Sequence, residues 1–370
     1  MLKTIFIGME LSILRLFYLL GLFMEDFLFG KVMKTTEEKV NIIVDGNYII
    51  HRDFSVWCMY YQDRKKSAEE NEAAILEALQ DKEKQQVFLR KVIIDLCASV
   101  RRFSENPDSV VIVVDSHSWR YSIYDDYKYA LTRIKPSYYK EFCAMIDYVE
   151  QYLRKKGLIV SRVPGAEGDD LLYLWSIYFD QVLEEPCVII TGDSDIRQVM
   201  NTNIAIFNNN SKNLHLYCTP DKEVYWNERM EADVLVEPTI PFEVILYKVL
   251  MGDKSDNIPK IKNGVGDVAF RKFIDSITPY TKPQDGTPLT AMAMWIADRF
   301  AKWANLPYED VLGKVLFNLK MTWLNLETYN GVKVCGDLLK CMLENIRENK
   351  NNYSYRKSYT LEDFYGMIIK

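Results

Sequence analysis

Three short apolar runs in this 370-residue chain lead directly to an aspartate: Val40–Val44 to Asp45, Val110–Val114 to Asp115, and Cys187–Thr191 through Gly192 to Asp193. Asp195 follows two residues later. Glu167, Asp169 and Asp170 crowd the segment after Leu158–Val163, and Asp253 and Asp256 lie in MGDKSDNIP. Taken singly, an aspartate at a strand end is an ordinary turn residue or helix N-cap. Many carboxylates on one edge are harder to dismiss, because they raise one another's pKa unless cations compensate. With no His or Cys among them, the donors are all hard oxygens, and Mg²⁺ or Mn²⁺ is the natural counter-charge. Acidic two-metal clusters suit phosphodiester hydrolysis, in which one ion lowers the pKa of an attacking water and the other steadies the leaving oxygen.

Positioning such a cluster requires a parallel sheet, whose strands all end at one edge. The runs VNIIV, VVIVV and CVIIT are β-branched and unbroken, as buried parallel strands are. Between them, 63–104 reads as helix, 119–156 as mostly helical, and a further helix starts at Asp169; Asn203–Phe207 and Leu214–Tyr217 are short strands. Strands alternating with helices predict an α/β fold, a mainly parallel central sheet flanked by helices, over 40–240. From Pro241 to 370 only helical patterns occur, with turn clusters at 252–266 and 279–288, which predicts an all-α region.

Composition sets further bounds. Hydrophobic residues at 48% exclude wholesale disorder, and a net charge of −6, from 52 acids and 46 bases, counts against a general nucleic-acid binder. The bases are unevenly placed, however. Arg120, Lys128, Arg133, Lys135, Lys140, Arg154, Lys155 and Lys156 outnumber the acids in 119–156 and alternate with tyrosines. Basic residues follow phosphates and aromatic rings stack on unpaired bases. Seven scattered cysteines without a C-x-x-C predict free thiols in a reducing compartment and no zinc site. Residues 1–39 form an apolar extension. Its longest uncharged run, Leu16–Met24, is nine residues, against the roughly 20 a bilayer needs. Neither a membrane span nor a signal peptide is expected. Two readings stand: an appended helix packing on the body or a partner, or an early start codon ahead of Met33.

The motifs together resemble the structure-specific 5′→3′ exonucleases and flap endonucleases, including phage RNase H-like members. The resemblance runs in order from Ile42 to Phe273: IIVDGNYIIHRDF, VVDSHSWR followed by YDDYK, GAEGDDLL, TGDSDIRQ, and MGDKSDNIPKIKNGVGDVAFRKF. It implies one metal site from Asp45, Asp115, Glu167 and Asp169. A second would use Asp170, Asp193, Asp195 and Asp253, with Asp256 direct or through water. Two Mg²⁺ ions, replaceable by Mn²⁺, would fill them. Lys128, Arg133 and Arg52 would be catalytic, Lys128 as a cation for the scissile phosphate. Residues 119–156 would form an arch, with Arg120, Tyr124 and Tyr127 touching DNA. Residues 250–275 would form a helix–three-turn–helix, bringing Lys260, Lys262, Gly264, Gly266, Arg271 and Lys272 to a duplex, with K⁺ at the turn.

The implied activity is cleavage of branched or 5′-ended DNA and of RNA–DNA primers in replication or repair, by a cytoplasmic monomer of a bacterium or phage-infected host. A polymerase, clamp or single-strand-binding protein would be its partner. Some positions depart from the family pattern. Gly168 replaces an Ala, Ser194 a basic residue, Asn263 lengthens the loop after Pro259, and Leu131 stands where an arginine is usual, with Arg133 two residues on. The rival readings are a PIN-type ribonuclease and a non-catalytic DNA-structure-binding protein.

Overall fold

The structure, a computed structural model, describes residues 41–351 apart from 101, 104–109, 129–134, 157, 221–234, 281–282, 285 and 335. The expected extension at 1–39 and Arg133 therefore lie outside the described residues. The chain divides into two compact units. Among the described residues, one comprises those of 49–110 and 135–158, the other those of 41–48, 111–128 and 159–351.

The second unit is built on a seven-stranded sheet: β1 (Asn41–Asp45), β2 (Val110–Val113), β3 (Ile159–Ser161), β4 (Cys187–Thr191), β5 (Ile204–Asn208), β6 (Asn213–Tyr217) and β7 (Leu235–Thr239). Their spatial order is β3-β2-β1-β4-β5-β6-β7. The pairs β2–β3, β1–β4, β4–β5 and β6–β7 are parallel, and β5–β6 is antiparallel. The mainly parallel sheet is thus as expected, and the β1–β4 register places Val44 beside Ile190. Consequently Asp45 and the start of the Asp193 loop emerge together. The edge strand β7 has no counterpart in the sequence reading, because its Pro238 argues against a strand and is tolerated at a sheet edge.

Helix α5 (Gly168–Ile177) and the C-terminal α11 (Leu338–Asn351) pack on this sheet through Leu171, Leu174, Met342, Leu343 and Ile346. Helices α6 (Pro241–Met251), α7 (Asp267–Ile277), α8 (Leu289–Ala304) and α9 (Tyr308–Thr322) enclose a second core that includes Leu246, Phe273, Ile296, Phe300 and Val315. A one-turn α10 (Leu326–Tyr329) joins the two sets.

The first unit is helical. It contains most of α1 (Gly46–Met59), then α2 (Ala68–Gln80), α3 (Lys82–Val100) and α4 (Tyr139–Lys155). Phe54 stacks on Phe142 at 4.0 Å between centroids and meets Phe88 edge-on. The predicted helix over 63–104 is two helices, because Asp81 stops α2 and accepts the Glu83 N–H of α3 at 2.9 Å. Among the described residues of 119–156, helix is found at Trp119–Ser122 and Tyr139–Lys155, with a turn at 125–128. Among the described residues no helix is long and apolar enough to cross a membrane.

Candidate active site

The strand ends deliver their acids as the parallel sheet requires. Asp45 closes β1, its Oδ1 accepting the Tyr48 N–H at 2.9 Å and its Oδ2 the Thr191 hydroxyl at 2.8 Å. Gly46 must follow it, since a Cβ there would stand 2.7 Å from the Val113 carbonyl oxygen. Asp115 follows β2, with Oδ1 accepting the Gly168 N–H at 2.5 Å at the start of α5. Past β4, the Asp193 N–H donates to Thr191 Oγ1 at 3.0 Å, and Asp193 Oδ1 accepts the Asp195 N–H at 2.8 Å. Glu167 is the N-cap of α5, and Asp169 lies in its first turn.

The acids feel one another's charge. Burial first, then the Asp115 charge, pushes the Asp45 carboxyl up to about 7. Asp169 is pushed well above the usual carboxylate range by burial and then by Asp193, Asp45, Glu167 and Asp195. Burial and Glu167 raise Asp115. Burial and Asp193 bring Asp195 to about 6. Glu167 goes the other way. Burial opposes its charge, but Arg120 and Lys128 hold it at about 2.

These shifts predict how metal-free protein responds to pH. Asp45 keeps its proton to about 7 when folded, against an ordinary 3.8, so its contribution is full below pH 3.8 and is lost as pH rises through 7. Asp195 adds to the same trend. Glu167 and Asp253, both lowered, lose their contributions only under more acidic conditions. In EDTA, Tm should therefore fall between about pH 5 and 7; a flat or rising scanning-calorimetry profile there would contradict this electrostatic picture.

Three protein cations lie among the acids. Arg120 is buried, donating to Glu167 Oε2 at 2.6 Å, to both Asp170 oxygens at 2.9 and 3.2 Å, and through Nε to the Met321 carbonyl at 2.8 Å. Lys128 pairs with Glu167. Lys248, which the sequence reading passed over, bridges Asp195 at 2.5 Å and Asp253 at 2.7 Å. It is one turn from the end of α6, just before the MGDKSD loop, and that proximity to Asp253 was the available signal.

Several expected roles change. Asp170 is fully buried, and Arg120, Trp119 Nε1, Tyr329 OH and the Glu167 N–H occupy its oxygens. It anchors Arg120 instead of facing the acidic edge. Arg120 and Tyr127, expected to touch DNA, are 4% and 2% exposed, too enclosed to reach a strand. The Tyr127 hydroxyl donates to Glu167 at 2.9 Å and to Asp256 at 3.2 Å. Tyr124 joins its hydroxyl to Asn257 and sets its ring edge-on to Phe317. Arg52 pairs with Asp53 and Asp95 in the helical unit, each at 2.8 Å.

The duplex-contact residues lie together around the loop before α7. Gly264 has φ +82°, and a Cβ at Gly264 or Gly266 would meet open space. Lys260 and Lys262 donate to the Val265 and Ala304 carbonyls, Arg271 pairs with Glu243, and Lys272 is exposed. Lys260, Lys262, Lys314 and Asp310 also line a cavity of about 250 Å³.

Among the described residues, no three of Asp, Glu, His and Cys are close enough together to hold a metal ion. The side chains as placed thus form no ready-made ligand shell, and Lys128 and Lys248 supply part of the positive charge. The donor chemistry still fits a hard divalent cation. Asp45, Asp115, Asp169, Asp193 and Asp195 offer oxygen alone, and the upward shifts mark a site short of positive charge.

The family model of the 5′-3′ exonuclease N-terminal resolvase-like domain matches residues 40–230. The chain is 29% identical over 164 residues to a 5′-3′ exonuclease of Aquifex aeolicus, covering 44% of this chain and 50% of that protein. It is 30% identical over 151 residues to a 5′-3′ exonuclease of Mycoplasma genitalium, covering 41% and 47%. The match thus spans about half the length of these relatives. Among solved structures, the T5 D15 protein co-crystallised with metal ions aligns with a TM-score of 0.50 and 14% identity, over 89% of this chain and 100% of that one. At that identity the likeness is one of fold.

Proposed function

Since the chain belongs to the 5′-3′ exonuclease N-terminal resolvase-like domain family, we propose that it is a Mg²⁺-dependent 5′ nuclease that hydrolyses phosphodiester bonds in branched or 5′-ended DNA and in RNA–DNA primers. The observation that carries this reading is the convergence of Asp45, Asp115 and Asp193 on one sheet edge with Glu167 and Asp169 at the start of α5. Asp45, Asp115, Glu167 and Asp169 would hold one ion, and Asp193, Asp195 and Asp253, with Asp256, the other. Bound there, the ions supply Lewis acidity toward the phosphodiester and make water a stronger nucleophile.

The chain's own residues do the positioning. Lys128 presents an ammonium beside Glu167, able to meet the negative charge that gathers on the phosphate during cleavage. Arg120 fixes Glu167 from the buried side. Lys248 keeps the Asp195 and Asp253 loops together. Duplex DNA would lie against Lys260, Lys262, Gly264, Gly266, Arg271 and Lys272, in a helix–three-turn–helix at about 250–275, where backbone N–H groups at a helix start suit phosphates without reading sequence. K⁺ at that turn, Arg133 as a catalytic group, and a replication partner belong to the same proposal.

The direct test is a labelled 5′-flap substrate with Mg²⁺ and with EDTA. Cleavage in Mg²⁺ alone is expected; none at any salt concentration leaves the DNA-structure-binding alternative. A narrower test concerns Gly168, where a Cβ would stand 2.5 Å from Asp115 Oδ1. Gly168→Ala should force Asp115 off the Gly168 amide and raise the Mg²⁺ concentration giving half-maximal thermal stabilisation by roughly tenfold. An unchanged Mg²⁺ titration means Asp115 adjusts without consequence.

A further inference from the structure

Two residues near the acidic edge hold the left-handed backbone conformation that side chains rarely adopt: Lys128 at φ +55° and Asn257 at φ +61°. Asparagine is among the residues that tolerate this region, whereas lysine gains nothing from it. Besides the Tyr127–Asp256 contact, four hydrogen bonds join their two segments. The Lys128 N–H donates to the Asp256 carbonyl at 3.0 Å. Asn257 Nδ2 donates to the Asp126 carbonyl at 3.0 Å and to the Tyr124 hydroxyl at 3.3 Å. The Tyr124 hydroxyl in turn donates to the Asn257 carbonyl at 3.1 Å. Asn257 is exposed, so its amide fills no core; its polar contacts all go to residues 124–126.

We propose that Asn257 is the positioning residue for Lys128, its amide clasping the 124–128 turn so that the Lys128 ammonium is delivered to Glu167 and the acidic edge. A lysine side chain has several free rotors and a compact, strongly hydrated head, so its reach is defined only if its backbone is held. Tyr127 holds the turn from within through Glu167 and Asp256, but its loss would also leave a cavity. Asn257 contributes no buried volume, so replacing it isolates the clasp. The consequence for cleavage rests on the nuclease reading; the placement of Lys128 does not.

The test uses the full chain with Asn257→Gly and Asn257→Asp. Both substitutes accept the left-handed backbone and neither can donate to the Asp126 carbonyl. Lysine acylation is followed by mass spectrometry, with exposed Lys254 in the same loop as internal reference. Acylation of Lys128 relative to Lys254 should rise about fivefold in both variants, what one lost hydrogen bond sustains in an equilibrium. Either variant suffices if the other fails to fold. Unchanged Lys128 labelling overturns the proposal. In flap cleavage, Asn257→Gly should slow wild type but add nothing to Lys128→Ala, since the two would act as one unit; additive losses also overturn it. If wild type does not cleave but the labelling shift holds, the nuclease reading fails and the clasp stands.

Discussion

Asp193→Ala should lower the single-turnover cleavage rate by about 10³-fold, the scale of losing one group that acts on charge in the transition state, while flap-DNA affinity stays within about threefold. Asp193 is held by its own N–H to Thr191 and by the Asp195 N–H on its carboxylate. Its charge helps raise Asp45, Asp169 and Asp195. Removing it should relieve that repulsion, so the variant in EDTA at pH 8 should melt higher than wild type. An acid kept for its chemistry costs stability; one kept for structure supplies it. A lower Tm together with weaker DNA binding would falsify the catalytic assignment of Asp193.

The second large effect is structural. Arg120→Met removes the guanidinium from Glu167 and Asp170 while roughly preserving volume. Burial opposes the Arg120 charge, yet Asp170 and Glu167 push its pKa up further, and the side chain is almost wholly enclosed. Removing one partner of a buried ion pair leaves an uncompensated charge at about 3–5 kcal/mol, which should lower Tm by roughly 10 °C for a unit of this size. Adding Asp170→Asn, which removes the buried charge, should restore a substantial part of that loss. If the double variant melts no higher than Arg120→Met, the guanidinium acts through its Met321 carbonyl contact rather than through Asp170.

Both outcomes follow from neighbours that the chain order hides. Three strands and their terminal acids could be read directly, because buried parallel strands are uniform β-branched runs and the acid after each must lie at the shared edge. Helix α1 could not, because Asp45-Gly46 reads as the end of a strand and only the folded chain shows Ile49, Ile50, Phe54 and Trp57 sharing a buried helical face. The single helix expected at 63–104 splits at Asp81, whose capping competes with helix continuation. The net charge of −6 is uninformative for a related reason: it counts acids without saying which of them share a site.

The sequence by itself determined the fold class, the family and the strand-end acids, since residue type and spacing along one chain suffice for these. The tertiary structure decided which charges are neighbours. It turned Asp170 inward onto Arg120, buried Tyr127 between Glu167 and Asp256, placed Lys248 between Asp195 and Asp253, and brought Asn257 to the turn that carries Lys128. Apart from Lys248 and Asp253, which lie within one loop of each other, these contacts join residues from about 40 to 130 positions apart. Electrostatic energy depends on distance in space and on local solvent, neither of which is written in the spacing of a sequence.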